Sequence, residues 1–486
     1  MNRLCSTLLC LLLAACGGDS VSPRLGTPEP TPQPSTDKPY ADLAAGSFAL
    51  TLSNGTGGRW RDDQIYITIV GVNGPAPDGA ITYVRPTATR VAGAPPRPGT
   101  TEALQGVLAE VRMGSAADNT SPGCIAAAGS CYVPYAFTLA DLGPERTLFL
   151  PGDGKYYGSR IYVSMGRPLL QQVSPDGRGI SQPNIESSAD PNFTTVFDWF
   201  EFTYDPVKTP DPIPFGGNVT QVDLYSVPLM FEVIGVNDTR MTRGISVGAG
   251  SSSGAATRDE LFAMYRASVG PAFADLAQMD GDAIVRLIAP YHAANFGPGG
   301  ADTAYFDAYV DQVWSQFASD PGSLDFRDQP PLPDGTPQGN RFYGCTPAEV
   351  QVHPDRLCFK YTPAADTNLS TGPFYIAKPS SYDVLTNGGA LQPGCKSSAD
   401  YGECDAFGAQ LAAALNRAVA HQPAQWRDAQ AFYLQDPKND WAQFWHKVSI
   451  DGRAYGMGFD DVADQSSVAI LPLRENILQL TLTIGW

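Results

Sequence analysis

From Ser47 to about Val236 apolar and polar residues alternate in short runs, in Phe48-Ala49-Leu50-Thr51-Leu52, Gln64 to Val70, Arg146 to Leu150 and Ser159 to Ser164. Successive side chains on a strand point to opposite faces, so this period of two predicts strands with one face on a core, and their spacing suits a sandwich or barrel. After Gly248 the apolar period lengthens to three and four. It runs through Leu261, Phe262, Tyr265 and Val269, then Phe306, Tyr309, Val310, Val313, Trp314 and Phe317, then Phe407, Leu411, Ala414, Leu415 and Val419. Those runs predict helices with one buried face, the first opening on Thr257-Arg258-Asp259-Glu260, which has the form of a capping box. Strand character returns in Lys447-Val448-Ser449-Ile450 and in Asn476 to Ile484. The expected fold is mainly β with α/β: a β-sandwich or barrel domain from 43–240 plus 447–486, with a mixed α/β domain inserted at 241–446.

The N-terminus reads differently. Met1 to Cys16 has a basic start at Arg3, an apolar run from Leu8 to Ala15, and ends in Leu13-Ala14-Ala15-Cys16, which resembles a bacterial lipobox. Residues 1–15 are then a signal removed before Cys16, whose acylation ties the chain to a membrane through lipid alone. An ordinary cleaved signal is the alternative, and either implies export, to the bacterial cell envelope (outer membrane or cell surface) or beyond the cell. Residues 16–42 carry Pro23, Pro28, Pro30, Pro32, Pro34 and Pro39 among polar residues. Such a segment cannot form a core and reads as an extended tether rising about 3.1 Å per residue.

Composition narrows the partners. A formal net charge of −18 argues against nucleic acid and anionic membrane surfaces and is indifferent to a neutral polysaccharide. With Cys5 and Cys10 in the signal and Cys16 lipidated, Cys124, Cys131, Cys345, Cys358, Cys395 and Cys404 remain. In an oxidising compartment they should form disulfides; six cysteines allow about 15 connectivities, of which Cys124 with Cys131 and two pairs among the other four is the favoured one. The four histidines, His292, His353, His421 and His446, are scattered and no C-x-x-C occurs, so neither a metal nor another cofactor is expected. Gly250-Ser251-Ser252-Ser253-Gly254 is a literal G-x-S-x-G, better read as a flexible lead into the helix that follows than as a nucleophile turn.

The segment from Gln182 to Met230 carries the candidate chemistry, as two strands joined by a Pro/Gly-rich loop. The first bears Glu201 among aromatic residues and the second Asp223, so a hairpin would bring two carboxylates together. Cleavage of a glycosidic bond needs this: one group to protonate the leaving oxygen and another on the far side of the sugar. Along the first strand Trp199, Glu201, Thr203 and Asp205 share one face, while Phe200, Phe202 and Tyr204 share the other. Glu201 and Asp205 on the solvated face of a sheet is the plainer reading of that strand taken alone.

Dispersed motifs add to this. Ser53 to Arg59 with Asp62-Asp63, Gly158 to Ser164, Asp190-Pro191-Asn192 through Glu201-Phe202-Thr203, Val222-Asp223, Tyr309 to Ser315 and Tyr455 to Val462 together resemble glycoside hydrolase family 64, the β-1,3-glucanases with a thaumatin-like barrel. The resemblance covers nearly the whole body. It implies a crescent with a wide groove, acting by inverting hydrolysis of β-1,3-glucan to short oligosaccharides, with Glu201 as general acid and Asp223 as general base. It also implies Thr203 and Thr220 as sugar-contacting hydroxyls. The loop from Pro206 to Gly217 is longer than the family pattern, and Asp205 replaces an Asn. As a like charge Asp205 would help keep a neighbouring carboxyl protonated. Trp199 and Tyr225 are candidates to stack on sugar rings, and Arg160 either bonds sugar hydroxyls or pairs with an acid. Asp460 and Asp461 either line the cleft or serve as turn chemistry. The expected protein is a monomer acting on laminarin- or curdlan-like polysaccharide. The competing reading is a surface lipoprotein that binds glucan, or contacts another protein, without cleavage; an enzyme for another β-glucan or exopolysaccharide is a third.

Overall fold

The structure, a computed structural model, describes residues 40–72, 81–111, 124–127, 130–152, 154–174, 179–205, 213–346, 349, 356–364, 371–392 and 401–486, with side chains of 401–404 excepted. Cys16, the signal, the tether to residue 39, most of the lengthened loop and Cys395 lie outside the described residues.

Among the described residues the frame is one 13-stranded sheet. In chain order the strands are β1 (Phe48–Gly55), β2 (Ile65–Val72), β3 (Ile81–Thr89), β4 (Ala103–Glu110), β5 (Thr147–Leu150) and β6 (Tyr156–Met165). They continue as β7 (Val196–Asp205), β8 (Ile213–Val219), β9 (Leu229–Gly235), β10 (Arg240–Gly244), β11 (Ala469–Ile470) and β12 (Ile477–Gly485). The spatial order is β10-β9-β12-β1-β5-β4-β3-β2-β6-β7-β8-β11, with Phe137–Thr138 also on β2. The runs that alternate in sequence are strands β1, β2, β5 and β6, and the last run returns as β12, parallel to β1 and antiparallel to β9. The ends of the sheet nearly meet. Gly244 on β10 has φ +104°, and a Cβ there would sit 2.3 Å from the Leu229 carbonyl oxygen and 3.1 Å from Val219 on β8, so this closure admits only glycine.

The barrel interior is aromatic and aliphatic. Phe48 meets Tyr156, Phe202, Tyr204 and Phe215 edge to face, over Leu50, Ile67, Val163 and Leu480. A second core gathers helices α1 (Arg258–Ser268), α2 (Asp307–Ser319), α3 (Tyr401–Asn416) and α4 (Asp440–Val448) around Phe262, Tyr265, Val313, Phe407, Trp441 and Trp445. Thr257 caps α1 by accepting the Glu260 N–H at 3.2 Å, but Glu260 returns to the N–H of Ala256 rather than that of Thr257.

Lys447 to Ile450 is a correction. Lys447 and Val448 close α4 and a 3-10 turn follows at Ile450–Gly452. The buried residues Trp441, Phe444, Trp445 and Val448 recur at helical spacing, and a four-residue window was too short to register it. Disulfides join Cys124 to Cys131 and Cys345 to Cys358. Among the described residues no helix is long and apolar enough to cross a membrane.

Candidate active site

β7 is hydrogen-bonded on both edges, which fixes its faces. Phe200, Phe202 and Tyr204 enter the barrel core, while Phe197 and Trp199 pack with Tyr162 in a cluster on the other side. Glu201 lies on the side of Trp199, opposite Arg160 on β6 and Asn218 on β8. Arg160 Nε and Nη2 both reach Glu201 Oε2 at 3.0 Å, and its Nη1 donates to the Tyr162 hydroxyl at 3.3 Å. The guanidinium also lies 5.2 Å over Trp199. Burial opposes the charge of Arg160, but Tyr162, Glu201 and Asp223 together hold it above the ordinary arginine range. The two carboxylates therefore act on one cation.

Asp223 is not on the second strand of the hairpin, as the sequence led us to expect. β8 ends at Val219, and Asp223 sits in a bend before the short strand Leu224–Tyr225, which pairs with Ala283–Ile288. The break is chemical: Thr220 Oγ1 accepts the N–H of Val222 at 3.1 Å, a side-chain turn that competes with the ladder. Distant segments then fix the bend. The Gln221 N–H donates to the Tyr455 carbonyl at 2.8 Å, Trp441 Nε1 donates to the Gln221 carbonyl at 2.9 Å, and the Ala289 N–H donates to the Asp223 carbonyl at 2.8 Å. Just beyond, Ser226 and Val227 donate their N–H groups to Asp198 Oδ2 at 2.9 and 3.2 Å, tying the segment to β7. Burial lifts the Asp198 carboxyl to about 7, against the pull of those N–H groups and of Arg286.

The Asp223 side chain faces a turn at Pro290–His292. The Tyr291 hydroxyl donates to Asp223 Oδ1, and His292 Nε2 stands 3.6 Å from the same oxygen, while His292 Nδ1 bonds Glu186. Burial pushes Asp223 up, but the contacts of His292 and Tyr291 and the charge of Arg160 outweigh it, so its pKa is lowered and the group stands ready as a base. His292 is disfavoured as a cation by burial and favoured more strongly by Asp223 and Glu186, which raise it.

Of the other residues singled out by sequence, Thr203 accepts the Gly158 N–H at 3.1 Å, and Thr220 is nearly buried in its turn. Asp205 is buried, accepts from the Tyr157 hydroxyl at 2.9 Å and has Lys155 at 3.8 Å. The group that faces Glu201 is thus a guanidinium and not the carboxylate of Asp205, which corrects the expectation that Asp205 acts on a neighbouring acid there. Trp199 and Tyr225 are interior, Tyr225 with its ring 4.2 Å from that of Trp445, so neither presents a face to a sugar. Asp460 is wholly buried against Arg417 at 3.0 Å, with His446 at 3.1 Å and the Gly456 N–H at 2.8 Å; it is structural. Asp461 is exposed, and it acts with Asp460 and Glu201 on Tyr455, whose hydroxyl is raised by burial first and by these charges next. The Gly250–Gly254 serines are spent on their own loop, Ser253 on the Ser246 carbonyl and Ser251 on that of Ala255. Among the described residues no group of three or more His, Cys, Asp or Glu side chains is placed to hold a metal ion.

Sequence reasoning missed Glu186, Tyr291, His292, Asp198 and Tyr455. Tyr291-His292 follows a strand inside the helical half, and nothing local links it to Asp223.

A nearly closed β-barrel carries a glutamate on its wall and an aspartate on the adjoining bend, both acting on one arginine, and a pair of carboxylates is what glycoside hydrolysis requires. The structure matches a beta-1,3-glucanase domain from Clostridium beijerinckii over 91% of this chain and 99% of that one, at 26% identity and a TM-score of 0.67. It shares its fold with the laminaripentaose-producing beta-1,3-glucanase of Paenibacillus barengoltzii, at 23% identity over 92% of this chain and 76% of that one, TM-score 0.59. The model of glycoside hydrolase family 64, beta-1,3-glucanase, matches residues 46–473, and the chain belongs to this family. A glucan endo-1,3-beta-glucosidase of Cellulosimicrobium cellulans is 26% identical over 318 residues, 64% of this chain and 49% of the relative. A second, from Arthrobacter sp. (strain YCWD3), is 25% identical over the same shares, so the chain spans about half the length of the curated relatives it matches.

Proposed function

We propose that the chain hydrolyses β-1,3-glucan internally, with inversion, and that it works as an exported, lipid-anchored monomer. The observation that carries this reading is the pair of carboxylates around Arg160, one held ionised by its own hydrogen-bonding shell. Family membership and the activity named for the curated relatives support the choice of substrate.

In this mechanism Asp223 takes a proton from water as it attacks the anomeric carbon, and Glu201 protonates the departing glycosidic oxygen from the opposite face. Both contacts of Arg160 fall on Oε2 of Glu201, which leaves Oε1 to deliver the proton. After turnover Asp223 carries the proton and Glu201 has lost one, and exchange with solvent resets both.

The same ion pair favours the second reading, a lipoprotein that binds glucan without cutting it, because a carboxylate paired with a guanidinium is a ready acceptor of sugar hydroxyls and not a ready acid. Hydrolysis of a linear β-1,3-glucan by residues 40–486, with NMR of the first anomer released, separates the two. Release of the α-anomer, cut about 10²–10⁴-fold in Glu201→Gln and in Asp223→Asn, is expected. A β-anomer would refute inversion. Retention on insoluble glucan with no release would establish binding alone.

A further inference from the structure

Glu186 and His292 do not belong to the acid/base pair, yet they stand directly behind the base. Resting on the glucanase reading above, we propose that His292, oriented by Glu186, is a positioning residue of the reaction: a cationic clamp that holds Asp223 ionised and aimed at the attacking water.

Three observations converge. His292 Nδ1 bonds Glu186, and Nε2 on the opposite side of the ring points to Asp223 Oδ1 at 3.6 Å. A neutral imidazole that donates from Nδ1 to Glu186 has only a lone pair to show to Asp223, whereas the imidazolium offers an N–H to each carboxylate. His292 is mostly buried and its Nε2, shielded from water, makes no hydrogen bond at 3.6 Å, so its tie to Asp223 is one of charge, and a position between two carboxylates favours the protonated ring. Second, Tyr291 from the same turn donates to that same oxygen, so Oδ1 is committed to orientation and Oδ2 is free to accept the proton of water. Third, the turn is itself anchored to the base, since the Ala289 N–H donates to the Asp223 carbonyl. Clamp and base therefore move together.

Among the described residues, His292 is acted on by the charges of Asp223 and Glu186. Its own turn supplies the Tyr291 ring, with centroids 4.0 Å apart. The loop before β7 supplies Glu186 and the bend supplies Asp223. The helix Ser381–Thr386 packs on the turn and brings Tyr382, which senses Glu186, while its Asp383 is engaged at the helix N-cap. Arg160 also acts on Asp223 through its charge. Removing the imidazolium deprives Asp223 of an opposite charge, so its pKa rises and the base is ionised only at higher pH. The acid limb of the rate profile then moves up while the basic limb, set by the general acid, stays.

The experiment is the pH profile of kcat/KM on soluble β-1,3-glucan for the parent, His292→Gln and Glu186→Gln, paired with NMR titration of the histidine rings in the parent, Glu186→Gln and Asp223→Asn. The clamp requires the acid limb to rise by about one pH unit in His292→Gln. It requires a smaller rise in Glu186→Gln, a fall in kcat larger than any change in KM, and a lower His292 midpoint in both carboxylate variants. A profile merely scaled down at every pH, or a His292 midpoint unmoved by Asp223→Asn, overturns it. Glu186 is exposed and outside both cores, so its variant remains informative if His292→Gln folds poorly. Should the parent cleave nothing, the glucanase reading fails, and the His292 midpoint still decides whether the clamp exists.

Discussion

Glu201 and Asp223 are held by two different kinds of structure. Glu201 rides on a strand paired on both sides, where the ladder to β6 and β8 fixes its direction and a one-residue slip would throw Phe200 and Phe202 out of the core. Asp223 rides on a bend with almost no local structure, held by Tyr455, Trp441, Ala289 and, through Ser226 and Val227, by Asp198. Glu201 is placed by a periodic rule that operates within a few residues. Asp223 is placed by contacts from four distant parts of the chain. Disturbance far from the site should therefore reach Asp223 before it reaches Glu201.

The sharpest way to break that contrast is Asp460→Asn. Asp460 is fully buried with Arg417 and accepts the Gly456 N–H, next to the Tyr455 carbonyl that receives Gln221. Leaving Arg417 unpaired in the interior should cost about 3–5 kcal/mol in urea unfolding, and the survivors at low temperature should lose kcat through the bend. Its pH dependence has a definite sign. Despite burial, His446 and Arg417 hold Asp460 below the ordinary aspartate value. Its stabilisation is complete above an unfolded pKa of about 3.9 and is lost as pH falls below it, so the parent should weaken in acid more steeply than the variant.

Asp198→Asn comes next. The carboxylate accepts three backbone N–H groups on two oxygens, those of Trp199, Ser226 and Val227, and an amide has a single acceptor oxygen. At least one N–H is stranded, at about 1–3 kcal/mol by urea unfolding. A fall in kcat with KM little changed would show that the strand-to-bend tie serves Asp223, and an unchanged kcat would show the tie to be dispensable.

The smallest effect, and the most direct comparison, is Thr220→Val against Thr203→Val. The first removes the turn bond to the Val222 N–H in front of Asp223, and the second removes a bond to Gly158 beside a paired strand. Each should cost about 1 kcal/mol of stability. Loss of turnover several-fold greater for Thr220→Val is the expected outcome, and equal losses would place both hydroxyls on the substrate.

Much of the frame was legible because it rests on short-range rules. The strands around Leu50, Ile67 and Ile161 and the helices around Leu261, Val313 and Leu411 follow from residues two, or three and four, apart. Lys447 to Ile450 escaped because a strand-like tetrad at a helix end is the same four letters until the preceding turn is counted. The site was half legible. Glu201 could be assigned a face, but Asp223 was drawn onto a strand that the Thr220 turn had already ended.

The sequence by itself determined the alternation of β7, the face shared by Trp199, Glu201 and Thr203, the helical period of the second core and the acidic, cysteine-paired character of the chain. Those are properties of neighbours along the chain and of composition. Only the tertiary structure decided that Arg160 faces Glu201, that Trp199, Tyr225 and Asp460 are interior, and that Glu186, Tyr291 and His292 surround Asp223. The reason is physical: the charge and hydrogen bonds a carboxylate feels fall off over short distances in space, and the groups that act on Asp223 lie from 63 residues before it, at Arg160, to 69 after it, at His292.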